Sequence, residues 1–170
     1  TCPTEVTLEN IVELIRNDAA TGEHTRKHRY YLKNEKPQAA KREKSNCPCF
    51  AVAVRFRDGK NKKDICGYTR LCLADFDHLP PERMAECVEL VRNDAHTLLA
   101  YVTISGTGLR VISAYVDSHP EEGDTANPVF LHVHAFETIN RHYAALLRHP
   151  FDEKCKNITR LSGLAHDPNV

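Results

Sequence analysis

From Gly67 onward the hydrophobic pattern changes period in an order that few folds accommodate. Gly67 to Asp75 reads as a strand, with Leu71 and Leu73 on one face. Pro80-Pro81-Glu82 opens a helix whose apolar stripe is Met84, Cys87, Val88 and Val91. Leu98 to Ile104 is a nearly continuous apolar run suited to a central strand. Ser105-Gly106-Thr107-Gly108 is a tight connection to the next strand, Leu109 to Val116. A polar, proline-containing loop then leads to a long helix reaching Leu147, with Phe136, Ile139, Tyr143 and Leu147 on one side. A short final strand is expected within Ile158 to Ala165. This is the split β-α-β pattern of ferredoxin-like and RNA-recognition-like sheets. The expected fold is α+β: a mostly antiparallel sheet with helices packed on it.

An N-terminal helical region and an extra strand precede that core. Thr7 can cap a helix carrying Leu8, Ile11, Val12 and Ile15, with Gly22 as its stop. Phe50, Val52, Val54 and Phe56 alternate with Ala51, Ala53, Arg55 and Arg57 as a half-buried strand, followed by a turn at Asp58-Gly59 and a polar run to Asp64. We divide the chain into a basic helical region, 1–46, and a core, 47–170, together forming one compact unit. A length of 170 residues with 41% hydrophobic and 27% charged residues suits one such domain and excludes wholesale disorder. No apolar run reaches the roughly 18 residues of a membrane span, and no leader pattern opens the chain. Seven cysteines form an odd set, read as reduced thiols of a cytoplasmic protein.

Lys+Arg and Asp+Glu both total 23, so no global field draws in a polyanion. Between His24 and Lys44, however, Arg26, Lys27, Arg29, Lys33, Lys36, Lys41, Arg42 and Lys44 outweigh Glu35 and Glu43, with Tyr30 and Tyr31 interleaved. Such a stretch can track a phosphate backbone and stack on bases, or it can be a solvated helix face.

Three local features carry chemistry. In Asp75-Phe76-Asp77 the two acids point to one side of a strand, where they repel unless a cation sits between them. Hard oxygen ligands select magnesium or manganese. The alternative is that the strand ends before Asp77, which then caps the Pro80 helix. In Ser105-Gly106-Thr107-Gly108-Leu109-Arg110, converging backbone amides and the Arg110 fork suit phosphate; an ordinary glycine-rich hairpin is the alternative. Asp152, after the long helix, can complete a three-carboxylate metal site or cap a turn, and Arg160 can hold a triphosphate. Two other patterns are weaker. His132, His134 and Tyr143 have the composition of a nickase site, but the histidines continue a helical stripe. Cys47-Pro48-Cys49 lacks a second pair at zinc-ligand spacing.

Taken together, these features resemble the primase-like N-terminal domain of large bacterial mobile-element proteins, the VirE N-terminal or BT4734-like domain, grouped with the archaeo-eukaryotic primase superfamily. The resemblance runs from about Leu8 to Pro168 and includes the ending Asp152, Cys155-Lys156-Asn157-Ile158-Thr159-Arg160-Leu161 and His166-Asp167-Pro168. It implies a catalytic core on an RNA-recognition-like sheet, with Asp75 and Asp77 as metal ligands. Phe151-Asp152 best fits the third acidic motif, and Asp167 competes with it. The serine-glycine loop motif falls on Ser105 to Arg110, where Arg110 replaces an expected histidine; arginine can hold phosphate but cannot accept a proton.

The activity implied is two-metal nucleotidyl transfer with Mg2+ or Mn2+ on Asp75, Asp77 and Asp152. Ser105, Gly106, Gly108, Arg110 and Arg160 would bind the nucleoside triphosphate. Arg26, Lys27, Arg29, Tyr30, Lys41, Arg42 and Lys44 would contact a single-stranded or primed DNA template, and a helicase domain is expected downstream. The alternative is a catalytically inactive nucleic-acid- or nucleotide-binding domain of the same fold, motivated by Arg110.

Overall fold

Thr7 opens the first helix through a reciprocal cap: its hydroxyl accepts from Asn10 N at 3.2 Å, and Asn10 Oδ1 accepts from Thr7 N at 3.1 Å. The structure, a computed structural model, describes residues 3–116 and 127–170. Helix α1 (Leu8–Asn17) ends where Asp18 turns extended and caps α2 (Ala19–Lys33), Asp18 Oδ2 accepting from Thr21 N at 2.7 Å. Gly22, expected as a stop, therefore lies inside α2: the aspartate cap punctuates the chain four residues earlier. Helix α3 (Pro37–Asn46) starts at a proline and packs on α2, with His28 Nδ1 at 2.7 Å from Ala40 O.

Two expected strands are each divided. The Phe50–Phe56 alternation breaks at Val52-Ala53 into β1 (Cys49–Ala51) and β2 (Val54–Phe56). The Gly67–Asp75 run breaks at Arg70, whose φ is 58°, into β3 (Ile65–Tyr68) and β4 (Leu71–Phe76). A short 3-10 turn, Pro81–Arg83, leads into α4 (Met84–Arg92). Then come β5 (Leu99–Val102), β6 (Leu109–Ala114), α5 (Pro128–Leu147), a 3-10 turn (Glu153–Lys156) and β7 (Leu161–Gly163). Most of the polar loop expected between β6 and α5, residues 117–126, lies outside the described residues.

The architecture is α+β. Strands β4, β6 and β5 form an antiparallel sheet in that order, so β4 and β5 run parallel with β6 between them and α4 as their crossover. This is the split β-α-β unit read from the pattern. One face of the sheet (Ala74, Phe76, Leu109, Val111) packs on Cys87 and Val91 of α4 and on Tyr143 and Leu147 of α5. The other (Leu73, Leu99, Tyr101, Ile112) packs with Ile11 and Ile15 of α1 and with Cys47, Val52, Leu164 and Ala165. Ile15 is fully buried there, a burial worth about 1.5–3 kcal/mol.

The remaining strands make two small ribbons, β1 with β7 and β2 with β3, both antiparallel. Strand β7 lies over the three-stranded sheet without extending it: its Gly163 carbonyl accepts hydrogen bonds from Arg110 Nη1 and Tyr101 Oη at 2.9 and 3.0 Å. Among the described residues no helix is long and apolar enough to cross a membrane, and the six described cysteines are free thiols.

Candidate functional site

The register of the sheet places Asp75, Arg110 and Tyr101 side by side across β4, β6 and β5, all on the face beneath β7. Arg110 gives both Nε and Nη2 to Asp75 Oδ2, each at 3.1 Å, while its Nη1 reaches Gly163 O. Tyr101 Oη is 2.8 Å from Ser162 Oγ. The row is nearly dry, with side-chain exposures of 12% for Arg110 and 3% for Asp75. Burial pushes the Asp75 carboxyl upward, Arg110 opposes that, and Asp77 and Asp152 add to it. Burial also works against the Arg110 cation, but Tyr101 and Asp75 outweigh it and hold the guanidinium firmly protonated. An arginine does not surrender its proton here, so Asp75 serves as its counter-ion.

Asp152 joins this row from the turn after α5. Its backbone N–H donates to Asp75 O at 2.8 Å, and its own Oδ1 caps Lys154 N at 3.0 Å. That turn also delivers Cys155, and Asp75, Asp152 and Cys155 each place one ligand atom within 4.8 Å of the other two. Burial pushes the Cys155 thiol up to about 12, with Asp75 adding to the effect. Asp75 Oδ1 is buried with no hydrogen-bond partner among the described residues. The i, i+3 spacing of Asp152 and Cys155 was visible in sequence, but their approach to Asp75 depends on the tertiary path.

Strand β4 ends at Phe76, one residue before Asp77, and His78 turns to φ 60°; the Asp77 charge is near enough to push the Asp75 carboxyl upward. Asp77 is exposed and outside the Asp75–Asp152–Cys155 cluster, and no side chain caps the turn Pro81–Arg83. Instead Asp77 borders the glycine loop: a methyl on Gly108 would come within 3.2 Å of its Oδ1. Leu79 N also donates to Thr107 O at 2.8 Å, tying the two segments together.

The glycine loop is internally bonded. Gly106 N donates to Thr103 O at 2.9 Å, Thr107 N donates to Ser105 Oγ at 3.3 Å, and Ser105 Oγ lies 3.1 Å from both Thr103 Oγ1 and Thr107 Oγ1. Gly106 takes φ 79°, which favours glycine. Arg110 follows this loop in β6, as the pattern indicated, and its guanidinium pairs with Asp75. Arg160, 43% exposed, approaches Asp152 Oδ2 at 3.8 Å. The competing acid, Asp167, accepts from Val102 N at 2.9 Å and Asn169 N at 3.1 Å, bracing the end of β5 outside the acidic cluster.

The basic segment is divided in its contacts. Arg26 and Lys27 pair with Glu23 at 2.7 and 3.2 Å. Arg29 reaches the glycine loop, donating to Ile104 O and Thr103 O at 3.2 and 3.3 Å. Tyr30 is 57% exposed, and Lys41, Arg42 and Lys44 are exposed on α3 without an ion-pair partner among the described residues. The histidine-tyrosine pattern presents no nickase site: His132 and Tyr143 are buried in α5, and Tyr143 Oη is bonded to Ser113 and Thr97 at 2.9 and 2.8 Å.

These observations define an α+β domain whose split β-α-β sheet carries a buried Asp–Arg row next to a second carboxylate and a glycine loop. The chain belongs to the BT4734-like, N-terminal domain family, whose model matches residues 42–170. The match begins inside α3, so the basic residues of α2 precede it. No curated protein and no solved structure matches the chain.

Proposed function

We propose that this domain is a primase-like nucleotidyl-transfer module of mobile-element replication, related to the VirE N-terminal and archaeo-eukaryotic primase proteins. The observation that carries the reading is the buried, unpartnered Asp75 Oδ1 clustered with Asp152. A carboxylate oxygen buried without a partner is costly and suits a cation ligand. Two carboxylates beside solvent-reachable Asp77 fit magnesium or manganese, hard cations that prefer oxygen ligands and leave the soft Cys155 sulfur out of the ligand set. A bound ion supplies charge for the departing pyrophosphate and lowers the pKa of the attacking 3′-hydroxyl.

The chain's own residues then have separable roles. Arg110 orients Asp75 and balances its charge, a positioning role in place of the triphosphate contact expected from sequence. Ser105 to Gly108 border the nucleotide, and Arg160 with Arg29 supplies charge for its phosphates. Tyr30, Lys41, Arg42 and Lys44 offer a stacking and phosphate-contacting face to a single-stranded or primed DNA template. A helicase domain on the same polypeptide and a cytoplasmic setting, supported by the free thiols, complete the proposal.

The second reading, a nucleic-acid- or nucleotide-binding domain without chemistry, is favoured by the two Arg110 donors already on Asp75 Oδ2. Calorimetric titration of manganese, with and without a nucleoside triphosphate, separates the two when run beside primer-extension assays on the parent and Asp152→Asn. Metal binding strengthened by nucleotide and lost with Asp152, together with extension by the parent only, supports transfer. Nucleotide or DNA binding that survives Asp152→Asn, with no extension by the parent, supports the binding domain.

A further inference from the structure

The formal charge of zero conceals a second basic element. Between Arg55 and Arg70 the chain carries six basic residues against Asp58 and Asp64. With the α2–α3 segment set aside as well, the rest of the molecule is strongly acidic. These residues are the β2–β3 hairpin, its turn and the Arg70 break that follows it, the strands paired Val54 to Tyr68, Arg55 to Gly67 and Phe56 to Ile65 with a bulge between Arg55 and Phe56.

The two sides of the hairpin differ. Val54, Phe56 and Ile65 pack with Ala53, Ile158 and Val129, anchoring the ribbon to the body. Arg57, Lys60, Lys62, Lys63 and Arg70 are exposed, and none forms an ion pair with an acid among the described residues. Arg55 lies over Gly67, where a methyl would come within 2.8 Å of its Nε, and it pairs with Glu5 at 3.0 Å. Asp64 turns its carboxylate inward to the turn, accepting from Asn61 N at 2.9 Å, and does not neutralise the lysines. Tyr68 is 40% exposed on the same ribbon. The anchor residue Ile158 lies two residues before Arg160, which approaches Asp152, so the base of the hairpin rests on the segment that also carries Arg160.

We propose that the β2–β3 hairpin grips the phosphate backbone of duplex nucleic acid, such as a primer paired to its template, beside the Asp75–Asp152 site. The proposal rests on the nucleic-acid reading of that site and adds a duplex-contacting surface distinct from α2–α3. A two-stranded ribbon with cations at its tip matches the width and charge of a duplex groove. Lysines that neutralise phosphates release counterions, so the contact has a measurable salt dependence.

The test is fluorescence anisotropy with a labelled DNA duplex and the corresponding single strand, over a range of salt concentrations. It compares the parent, Lys60→Glu/Lys62→Glu/Lys63→Glu and Lys41→Glu/Arg42→Glu/Lys44→Glu. All six positions are exposed, so folding is preserved and is checked by circular dichroism. The hairpin variant is expected to bind duplex at least tenfold more weakly, with the log–log salt slope smaller by about two to three. Its single-strand affinity is expected to fall much less. Duplex binding by the hairpin variant with the parent's affinity and slope overturns the hairpin assignment alone. Equal losses on duplex and single strand overturn its duplex preference. A parent that binds neither form overturns the hairpin together with the nucleic-acid reading beneath it.

Discussion

Arg110 stands directly across β4 and β6 from Asp75 and gives two donors, each at 3.1 Å, to a single carboxylate oxygen. Removing one partner leaves the other charged in a nearly dry site. Arg110→Ala is therefore expected to lower stability by about 3–5 kcal/mol. Arg110→Lys keeps the charge but loses the fork that also reaches Gly163 O, so a smaller loss is expected. Urea unfolding at unchanged m reads both. An Arg110→Ala midpoint equal to the parent's would show that the pair contributes nothing.

Gly108 is closed to any side chain. A methyl there would meet Thr103 Oγ1 at 2.8 Å and Phe76 O at 2.9 Å, and the latter is backbone that cannot swing aside. Gly108→Ala is expected to cost about 1–3 kcal/mol, the range of an overpacked site. Gly106→Ala meets Arg29 Nε at 3.2 Å and is strained by its φ of 79°, at about 1–2 kcal/mol. Thermal melts of both variants test this. An unchanged Gly108→Ala would mean that the β4 end and the glycine loop separate easily.

Much of this fold was legible because its elements announce themselves locally. The apolar stripe Phe136, Tyr143, Leu147 and the run from Leu99 to Val102 each reflect one period and one burial environment. The failures are breaks in the chain that periodicity does not register. Arg70 at φ 58° divides one strand, and Asp18 outcompetes Gly22 as the boundary between helices. In the site, Asp75, Asp152 and the glycine loop were visible as residue types. The opposition of Arg110 to Asp75 was not, because it depends on strand register, and neither was Cys155, because it arrives on a turn remote in sequence.

Buried thiols set an alkaline limit to stability. Burial pushes Cys72 and Cys155 up to about 12 and Cys47 up to about 11, against 9.0 for an ordinary thiol. Their folded values are raised, so the unfolded chain loses these protons first as pH increases. The stabilisation is fully present below pH 9.0 and disappears as pH climbs through the folded values. Urea midpoints should therefore fall over that window. Replacing Cys47 and Cys72 by Ala should flatten the decline while lowering stability overall. Thiol reagents at neutral pH should modify exposed Cys49 and Cys66 well before Cys47, Cys72, Cys87 and Cys155. Rapid modification of Cys155 would show that the cluster is open to solvent.

Asp18 gives the opposite sign at the acid end. Its carboxylate accepts from Thr21 N, and that backbone bond holds it below its ordinary 3.8. The stabilisation is present above pH 3.8 and is lost as pH falls through the lower folded value. Asp18→Ala leaves the first turn of α2 without its cap and should cost about 1 kcal/mol near neutrality. Asp18→Asn retains the acceptor, so it should keep most of the stability at neutral pH and remove this residue's share of the acid dependence. Comparing urea midpoints of the three proteins across the acid range checks both effects. If Asp18→Asn tracks Asp18→Ala at neutral pH, the charge facing the α2 N-terminus, and not the hydrogen bond to Thr21, sets where α1 stops and α2 begins.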